Sequence, residues 1–155
     1  MIVITNAQTS DVATLRRLEC AHFSESDSRL STRAFYYHIK RNLLFVAKDD
    51  HDIVGYILCL CPNKPYARIY SLLVIPAFRG HGVARRLITC VLKALEGKYP
   101  KIFLEVRERN QHAIGLYENF EFKRMRRLED YYGEKEHGIK MCKVLNYVKI
   151  RKNLG

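Results

Sequence analysis

Apolar positions along the chain recur at two spacings, which predict alternating strands and helices. One stretch has an apolar residue every three or four positions, which predicts an amphipathic helix: Ala84, Leu87, Ile88, Val91, Leu92 and Leu95. The residues just before it, 72–75, form a continuous apolar run typical of a strand buried on both faces. A buried strand followed by an amphipathic helix indicates an α/β domain.

The same two patterns predict the other elements. Strands are expected at 1–6, 43–47, 53–61, 67–75, 101–106, 122–127 and about 138–144. Helices are expected at about 11–22, 31–41, 84–95 and 110–119, with Ser10-Asp11 as the N-cap of the first. Gly55 inside the third strand is typical of a β-bulge. The order βααβββαβαββ predicts a single α/β domain at 1–145, with a mixed central sheet and about four flanking helices, before a basic tail at 146–155.

The charge is more distinctive than the size. A chain of 155 residues is expected to form one domain, but 27 Lys and Arg against 16 Asp and Glu leave a net charge of +11. Such a surface attracts phosphates, nucleic acid or acidic proteins, and it disfavours polycationic substrates. The basic cluster 123–127 has two open interpretations, namely the solvent face of a strand or a binding surface with affinity for RNA or the ribosome.

The cysteines and the apolar runs bear on location. The five cysteines are irregularly spaced and include no CxxC pair, so neither a disulfide framework nor a metal site is predicted. Cys59 and Cys61 are expected to be a buried reduced pair on one side of a strand. No run of about 18 apolar residues and no secretory signal is recognised, so we expect a cytoplasmic protein without membrane contact.

A basic loop with two glycines joins the buried strand to the regular helix. Gly80 and Gly82 allow the backbone to turn sharply and to approach a ligand closely. The amides and the dipole of the following helix favour an anion at this end. The loop therefore predicts a phosphate or pyrophosphate site, with a tight connection as the open alternative. Its spacing fits neither GxxxxGK[ST] nor GxGxxG.

These residues resemble a known family. Segment 79–84, Arg-Gly-His-Gly-Val-Ala, is similar to the Arg/Gln-x-x-Gly-x-Gly/Ala signature of the GNAT acetyltransferases. The element order is also similar to theirs over roughly 1–145, which implies a sheet with two splayed strands. The resemblance implies that the backbone of Leu72, Leu73 and Val74 pairs with the pantetheine arm of acetyl-CoA. It also implies that one loop binds the pyrophosphate of acetyl-CoA through Arg79, Gly80, His81, Gly82, Val83, Ala84 and Arg85. No metal ion is expected to take part.

A second block narrows the resemblance. Segment 104–120 contains Leu-Glu-Val-Arg, then Asn, then Ala-Ile-x-Leu-Tyr, and it is similar to bacterial ribosomal-protein-alanine N-acetyltransferases. That likeness implies that Glu105 receives the proton of the acceptor amine, directly or through water, and that Tyr117 protonates the CoA sulfur. It further implies that Asn110 contacts the pantetheine arm. The pair Tyr131-Tyr132 is in keeping with this branch and is expected to bind the acceptor.

The implied activity is acetyl transfer from acetyl-CoA to a protein N-terminal α-amine, with a ribosomal protein as the favoured acceptor. Transfer would be direct, in a ternary complex. A lysine side chain or a small amine is the alternative acceptor. An acetyl-CoA-sensing or RNA-binding module is the alternative without catalysis. Without the resemblance, Glu105 would more often be an ion-pair partner of Arg107 or a helix cap, and Tyr117 would more often be a core residue.

The chain departs from the family pattern in two places. Glu121-Phe122 replaces the usual Gly-Phe after the tyrosine helix, so a different loop geometry is expected. The tyrosine pair is followed by 133–136, Gly-Glu-Lys-Glu, where a proline is frequent. Since this segment is expected to border the acceptor groove, the second departure bears on the identity of the acceptor.

Overall fold

Within residues 1–145, seven strands and four α-helices follow one another in the order that the sequence pattern predicts. The computed structural model describes residues 1–145, so the predicted basic tail, 146–155, lies outside the described residues. The strands are β1 Ile2–Asn6, β2 Leu43–Asp49, β3 Asp52–Leu60, β4 Tyr66–Val74, β5 Lys101–Arg107, β6 Lys123–Leu128 and β7 Gly138–Val144. The helices are α1 Val12–His22, α2 Thr32–Arg41, α3 Val83–Leu95 and α4 Gln111–Asn119. The predicted α/β class is confirmed.

The strands form one mixed sheet in the order β1-β2-β3-β4-β5-β7-β6. β4 and β5 are parallel and pair through three residues each, Tyr66 to Arg68 with Lys101 to Phe103. β7 runs antiparallel to both β5 and β6. The described residues divide into two compact units, the first comprising 1–61 with 70–93 and the second comprising 62–69 with 94–145.

Gly55, in the first unit, lies at the bulge that the sequence predicts. Ala47 of β2 pairs with Gly55 of β3, but Lys48 pairs with Ile53, so Val54 is the extra residue. A β-carbon at position 55 would lie 2.7 Å from the carbonyl oxygen of Leu73. The position therefore needs glycine because another backbone segment passes too close for any side chain.

We expect Gly55→Ala to destabilise the fold by about 1–3 kcal/mol, because the new methyl group displaces a backbone carbonyl in a packed interior. Gly115→Ala is the matched control. Gly115 lies within α4, and no atom lies within 4 Å of the methyl group that the substitution adds. The control should raise stability by about 0.5–1 kcal/mol through helix propensity. Urea denaturation measures both, and a Gly55→Ala variant as stable as the parent would contradict the close approach.

The start of α1 differs from the prediction. Asp11 does not cap the helix with its side chain, and neither does Ser10, because the chain reaches α1 through a 3-10 turn at Thr9–Asp11. The Asp11 carboxylate instead accepts a hydrogen bond from the Gln8 amide at 2.8 Å and pairs with the Lys48 ammonium at 3.0 Å. Asp11 is therefore the N-cap residue of α1, as predicted, but the expected side-chain hydrogen bond is absent because the carboxylate contacts Gln8 and Lys48 instead.

The buried face of α1 also carries a carboxylate that apolar spacing does not reveal. Glu19 is buried and accepts hydrogen bonds from the Tyr56 hydroxyl and from the Leu30 amide, the latter at 2.7 Å. Burial, followed by the hydrogen bond to Glu19, raises the pKa of Tyr56 far above its usual range. These contacts tie the segment after α1 to β3, so the carboxylate is satisfied inside the core.

The predicted cysteine pair is only half correct. Cys59 is buried within β3, whereas Cys61 lies beyond the end of the strand and is partly exposed. All five cysteines lie within the described residues, and none of them is part of a disulfide there. The reason for the difference is that β3 ends at Leu60, one residue before the predicted strand does.

The turn after α4, in the second unit, keeps a glycine-like backbone without a glycine. Glu121 has a φ of +69°, in the left-handed region that glycine favours. Phe122 then packs edge-on against Tyr117, with 5.7 Å between ring centroids. The chain therefore makes a left-handed turn here with a glutamate. The expected difference in loop geometry from the family stays a prediction.

Candidate active site

The glycine loop of the first unit lies between the end of β4 and the start of α3. Gly80 and Gly82 have φ values of +80° and +78°, which side-chain-bearing residues rarely adopt. Arg79 donates from Nε to the carbonyl oxygen of Val74 at 3.1 Å, which ties the loop back to the end of the strand. The His81 ring nitrogen Nδ1 lies 3.0 Å from the Arg79 carbonyl oxygen. These contacts and backbone angles define a tight turn between β4 and α3.

The side chains around this turn fit the predicted anion site unevenly. Arg79, Gly80, His81, Gly82 and Arg85 are exposed. Ala84 is half-buried, and Val83 is buried in the apolar stripe of α3, so only its backbone amide is available to a ligand. Arg85 lies in the first turn of α3, where the helix dipole is unfavourable for a cation. A bound anion would neutralise this concentration of positive charge.

The predicted strand segment before the loop has one buried residue between two half-buried ones. Leu73 is buried, and Leu72 and Val74 are half-buried. The predicted role of all three residues is pairing through the backbone, which burial of the side chains does not prevent. The roles of the loop and of this segment remain predictions.

In the second unit, Glu105 lies on β5 and is held by an arginine that the sequence did not single out. The guanidinium of Arg68 contacts Glu105 Oε1 from both Nε and Nη2, each at 2.7 Å. The carboxylate side chain is 12% exposed and that of Arg68 is 34% exposed. Arg68 is the last residue of β4 that pairs with β5, and this parallel register places it beside Glu105.

The second oxygen of Glu105 is the open one. Within residues 1–145, Oε2 forms no hydrogen bond or ion pair, and no buried side-chain oxygen or nitrogen in that range lacks a partner. Oε2 is therefore accessible to solvent or to a ligand. Arg68 thus fixes the orientation of the carboxylate and leaves one oxygen free to accept a proton.

The tyrosine pair lies next to this ion pair. Tyr131 and Tyr132 pack edge to face at 4.9 Å between centroids, and the Tyr131 hydroxyl is 3.4 Å from Nη2 of Arg68. Arg107 lies over the Tyr132 ring at 4.4 Å and pairs with Glu136 at 3.7 Å. Within residues 1–145 the ion pair of Glu105 is with Arg68 and not with Arg107, so the carboxylate has the ion-pair role that the sequence suggests, with a different arginine.

Tyr117 combines a buried ring with an accessible hydroxyl. The residue is 7% exposed, and burial, followed by the charge of Tyr132, raises its pKa above the usual range. Its hydroxyl has no hydrogen-bond partner within residues 1–145, where no buried polar side-chain atom is unpaired, so the oxygen reaches the surface. The phenol therefore stays protonated at neutral pH and can donate to a ligand.

Electrostatic coupling connects Tyr132 to both proposed catalytic groups. Burial raises the pKa of Tyr132 to about 12, and the charges of Tyr131 and then Glu105 add to the effect. Tyr132 in turn contributes to the raised pKa of Tyr117. The structure thus brings four predicted residues into one cluster: Glu105, Tyr117, Tyr131 and Tyr132.

Asn110 has a structural role in addition to its predicted one. It is the N-cap of α4, and its side-chain oxygen accepts a hydrogen bond from the Ala113 amide at 3.1 Å. Its side-chain nitrogen remains for the predicted contact with pantetheine.

Two further properties concern metals and membranes. Residues 1–145 contain no group of three or more His, Cys, Asp or Glu side chains that could hold a metal ion. None of the helices in that range has the length and apolar character needed to cross a membrane.

In the second unit, an oriented carboxylate and a protonated phenol in one cluster suit an enzyme that transfers an acyl group to an amine. The comparison with protein families makes this class specific. The chain belongs to the acetyltransferase (GNAT) family, whose model matches residues 12–122. It is therefore an acyltransferase.

The relatives include enzymes that act at protein N-termini. The chain is 31% identical to an N-alpha-acetyltransferase of Saccharolobus solfataricus over 129 residues, covering 72% of this chain and 75% of the relative. It is 28% identical to the [ribosomal protein bS18]-alanine N-acetyltransferase of Haemophilus ducreyi, covering 65% and 71%. Among solved structures, Arabidopsis thaliana NAA60 in complex with acetyl-CoA superposes with a TM-score of 0.80 at 20% identity, covering 93% and 98%.

Proposed function

We propose that this enzyme transfers the acetyl group of acetyl-CoA to the α-amine of a protein N-terminus. The observation that carries the proposal is the Glu105 carboxylate, which Arg68 orients through one oxygen while the other stays open. The presence of N-alpha-acetyltransferases among the relatives supports the choice of an α-amine.

Acetyl-CoA is the proposed co-substrate. The glycine loop and the first turn of α3 offer backbone amides and exposed arginines to the pyrophosphate. The register pairs between β4 and β5 end at Arg68, so Leu72 to Val74 lie beyond the strand segment that β5 uses. Backbone pairing of these residues with the pantetheine arm is consistent with that arrangement.

The reaction forms one bond and breaks another. The nitrogen of the neutral amine attacks the thioester carbonyl carbon and forms the new C–N bond. That nitrogen then gives its extra proton to Glu105 Oε2, directly or through water, and the C–S bond breaks. A backbone amide near Val74 would stabilise the oxyanion, a role that the resemblance to the GNAT family implies. The departing CoA thiolate takes a proton from the Tyr117 hydroxyl, which is protonated at neutral pH. Tyr117 regains a proton from solvent and Glu105 releases one to it, so the products are the amide and the free CoA thiol. No acyl-enzyme is formed in this scheme.

A ribosomal protein is the proposed acceptor within this class, and the relative that modifies bS18 supports it. Lysine side chains and small amines remain alternatives for the same chemistry. A protein that only senses acetyl-CoA would not need the oriented Glu105 carboxylate, because no proton is transferred. The cytoplasmic location stays a prediction.

The acceptor class is tested by release of free CoA thiol with matched amines. We expect turnover with peptides that have a free N-terminus and none with the same peptides acetylated at that end, even when they contain lysine. Equal turnover for free and N-terminally acetylated peptides that contain lysine would identify the lysine side chain as the acceptor. Turnover with small amines alone would exclude a protein acceptor.

A further inference from the structure

The basic cluster on β6 is divided between the two faces of the sheet by a bulge. Arg124 pairs in register with Met141, but Arg126 pairs with Lys140, so Met125 is the extra residue. Side chains alternate along a regular strand, which would put residues three apart on opposite faces. The bulge instead places Lys123 and Arg126 on one face of the sheet, and Arg124 and Arg127 on the other.

One of these two pairs is neutralised by α4 and the segment before it. Arg127 contacts the two carboxylate oxygens of Glu108 at 2.7 and 3.1 Å, and Arg124 lies 3.4 Å from Glu118. The other pair has no such partner. Lys123 and Arg126 are exposed, and neither forms an ion pair within residues 1–145.

The unpartnered pair shares its face with Glu105. Arg126 is opposite Lys140 on β7, and Lys140 is opposite Glu105 on β5, so the three side chains cross the sheet in one row. Lys123 is opposite Cys142 in the next row. The Lys140 ammonium lies 4.6 Å from the centroid of the Phe103 ring and forms no ion pair in the described range. A strip of three cations, Lys123, Arg126 and Lys140, therefore leads away from Glu105.

We infer that this cationic strip selects acceptors with acidic residues just after the N-terminus, an inference that rests on the proposed function. Strands lie about 4.8 Å apart, so Arg126 is about 10 Å from Glu105 across two strand spacings. An extended peptide rises about 3.4 Å per residue. A chain whose α-amine lies at Glu105 and which crosses the sheet would therefore bring residues 2–4 past Lys140 and Arg126.

The acidic residues near this face do not cancel the strip. In the segment between β6 and β7, Glu136 pairs with Arg107 and Arg109, at 3.7 and 3.1 Å. Glu129 lies 3.6 Å from Arg127, and Asp130 lies 3.7 Å from His137. Glu134 is exposed and forms no ion pair within residues 1–145. In that range none of these four carboxylates lies within 4 Å of a charged nitrogen of Lys123, Arg126 or Lys140.

Three peptides of equal length, with the same first residue and with Asp, Ser or Lys at positions 2–4, test the inference. We expect kcat/KM to be about tenfold higher for the acidic peptide than for the neutral one at low salt, and the basic peptide to be poorest. The preference should shrink in 0.5 M salt because screening weakens exposed charge pairs. Equal values for the three peptides would overturn the inference and leave the proposed function intact. Absence of α-amine acetylation with every peptide would overturn both.

Arg126→Gln and Arg124→Gln provide a matched pair with the same change of charge. We expect Arg126→Gln to reduce the preference for the acidic over the neutral peptide about threefold, and Arg124→Gln to leave it unchanged. Equal effects of the two substitutions would show that net charge and not the strip is responsible, and would overturn the inference. Weaker retention on single-stranded RNA for Arg126→Gln, with an unchanged peptide preference, would assign the strip to nucleic acid and overturn it too.

Discussion

Replacing Glu105 with glutamine is expected to lower kcat/KM for an N-terminal peptide about 100- to 1,000-fold, with the Kd for acetyl-CoA unchanged within about twofold. Glutamine keeps the size of the side chain and can still accept from Arg68, but its amide cannot take up the proton of the attacking amine. Stopped-time assays of thiol release and calorimetric titration of acetyl-CoA measure the two quantities separately.

Glu108→Gln is the control for the Glu105 prediction. Glu108 is the next carboxylate along the chain, and its ion pair with the exposed Arg127 holds its pKa below the usual range. We expect its substitution to leave kcat/KM within about twofold, because a surface ion pair contributes little. Equal losses of acetyl-CoA affinity and turnover in Glu105→Gln would show that this glutamate is structural.

Replacing Tyr117 with phenylalanine is expected to lower kcat about 10- to 100-fold, because the departing thiolate loses a hydrogen bond worth about 1.5–3 kcal/mol. The buried ring remains, so the packing against Phe122 is kept. Burial raises the pKa of Tyr117, so the hydroxyl is protonated across the neutral range, and the loss should not vary between about pH 6 and 9.

Tyr99→Phe is the control for the Tyr117 prediction. The Tyr99 hydroxyl donates to the carbonyl oxygen of Pro62 at 2.6 Å, within the same unit. Its loss should reduce stability by about 1 kcal/mol and leave kcat unchanged. Unchanged turnover in Tyr117→Phe would remove this residue as the group that assists departure of the thiolate.

The element order was predictable because apolar spacing is a local property of the chain. The stripe of α3 and the buried run of β4 each lie within about a dozen residues, so periodicity alone locates them. The side-chain contacts of Asp11 and Glu19 could not be read from local spacing, because their partners, Lys48 and Tyr56, are each 37 positions away in the sequence. The destination of a carboxylate depends on tertiary contacts that local spacing does not contain.

In the candidate site, too, residue types were predictable from the sequence whereas tertiary contacts were not. The resemblance to a family supplied Glu105 and Tyr117, since it compares residue types at matching positions. Arg68 was missed because its place beside Glu105 follows from the register between two parallel strands. A lone arginine between Ala67 and Ile69 in an apolar strand was the only signal in the sequence. The bulge at Met125 likewise gives no sequence signal, and it decides which basic residues share the face of Glu105.

The position of the acetyl group in one reaction product tests the central claim most directly. The substrate is a peptide with a free α-amine and an internal lysine, incubated with acetyl-CoA and the enzyme and then sequenced by tandem mass spectrometry. We predict acetylation of the α-amine, with the lysine unmodified, and loss of the product in Glu105→Gln. Acetylation of the lysine, or an equal yield with Glu105→Gln, would contradict the proposed N-terminal acetyltransferase.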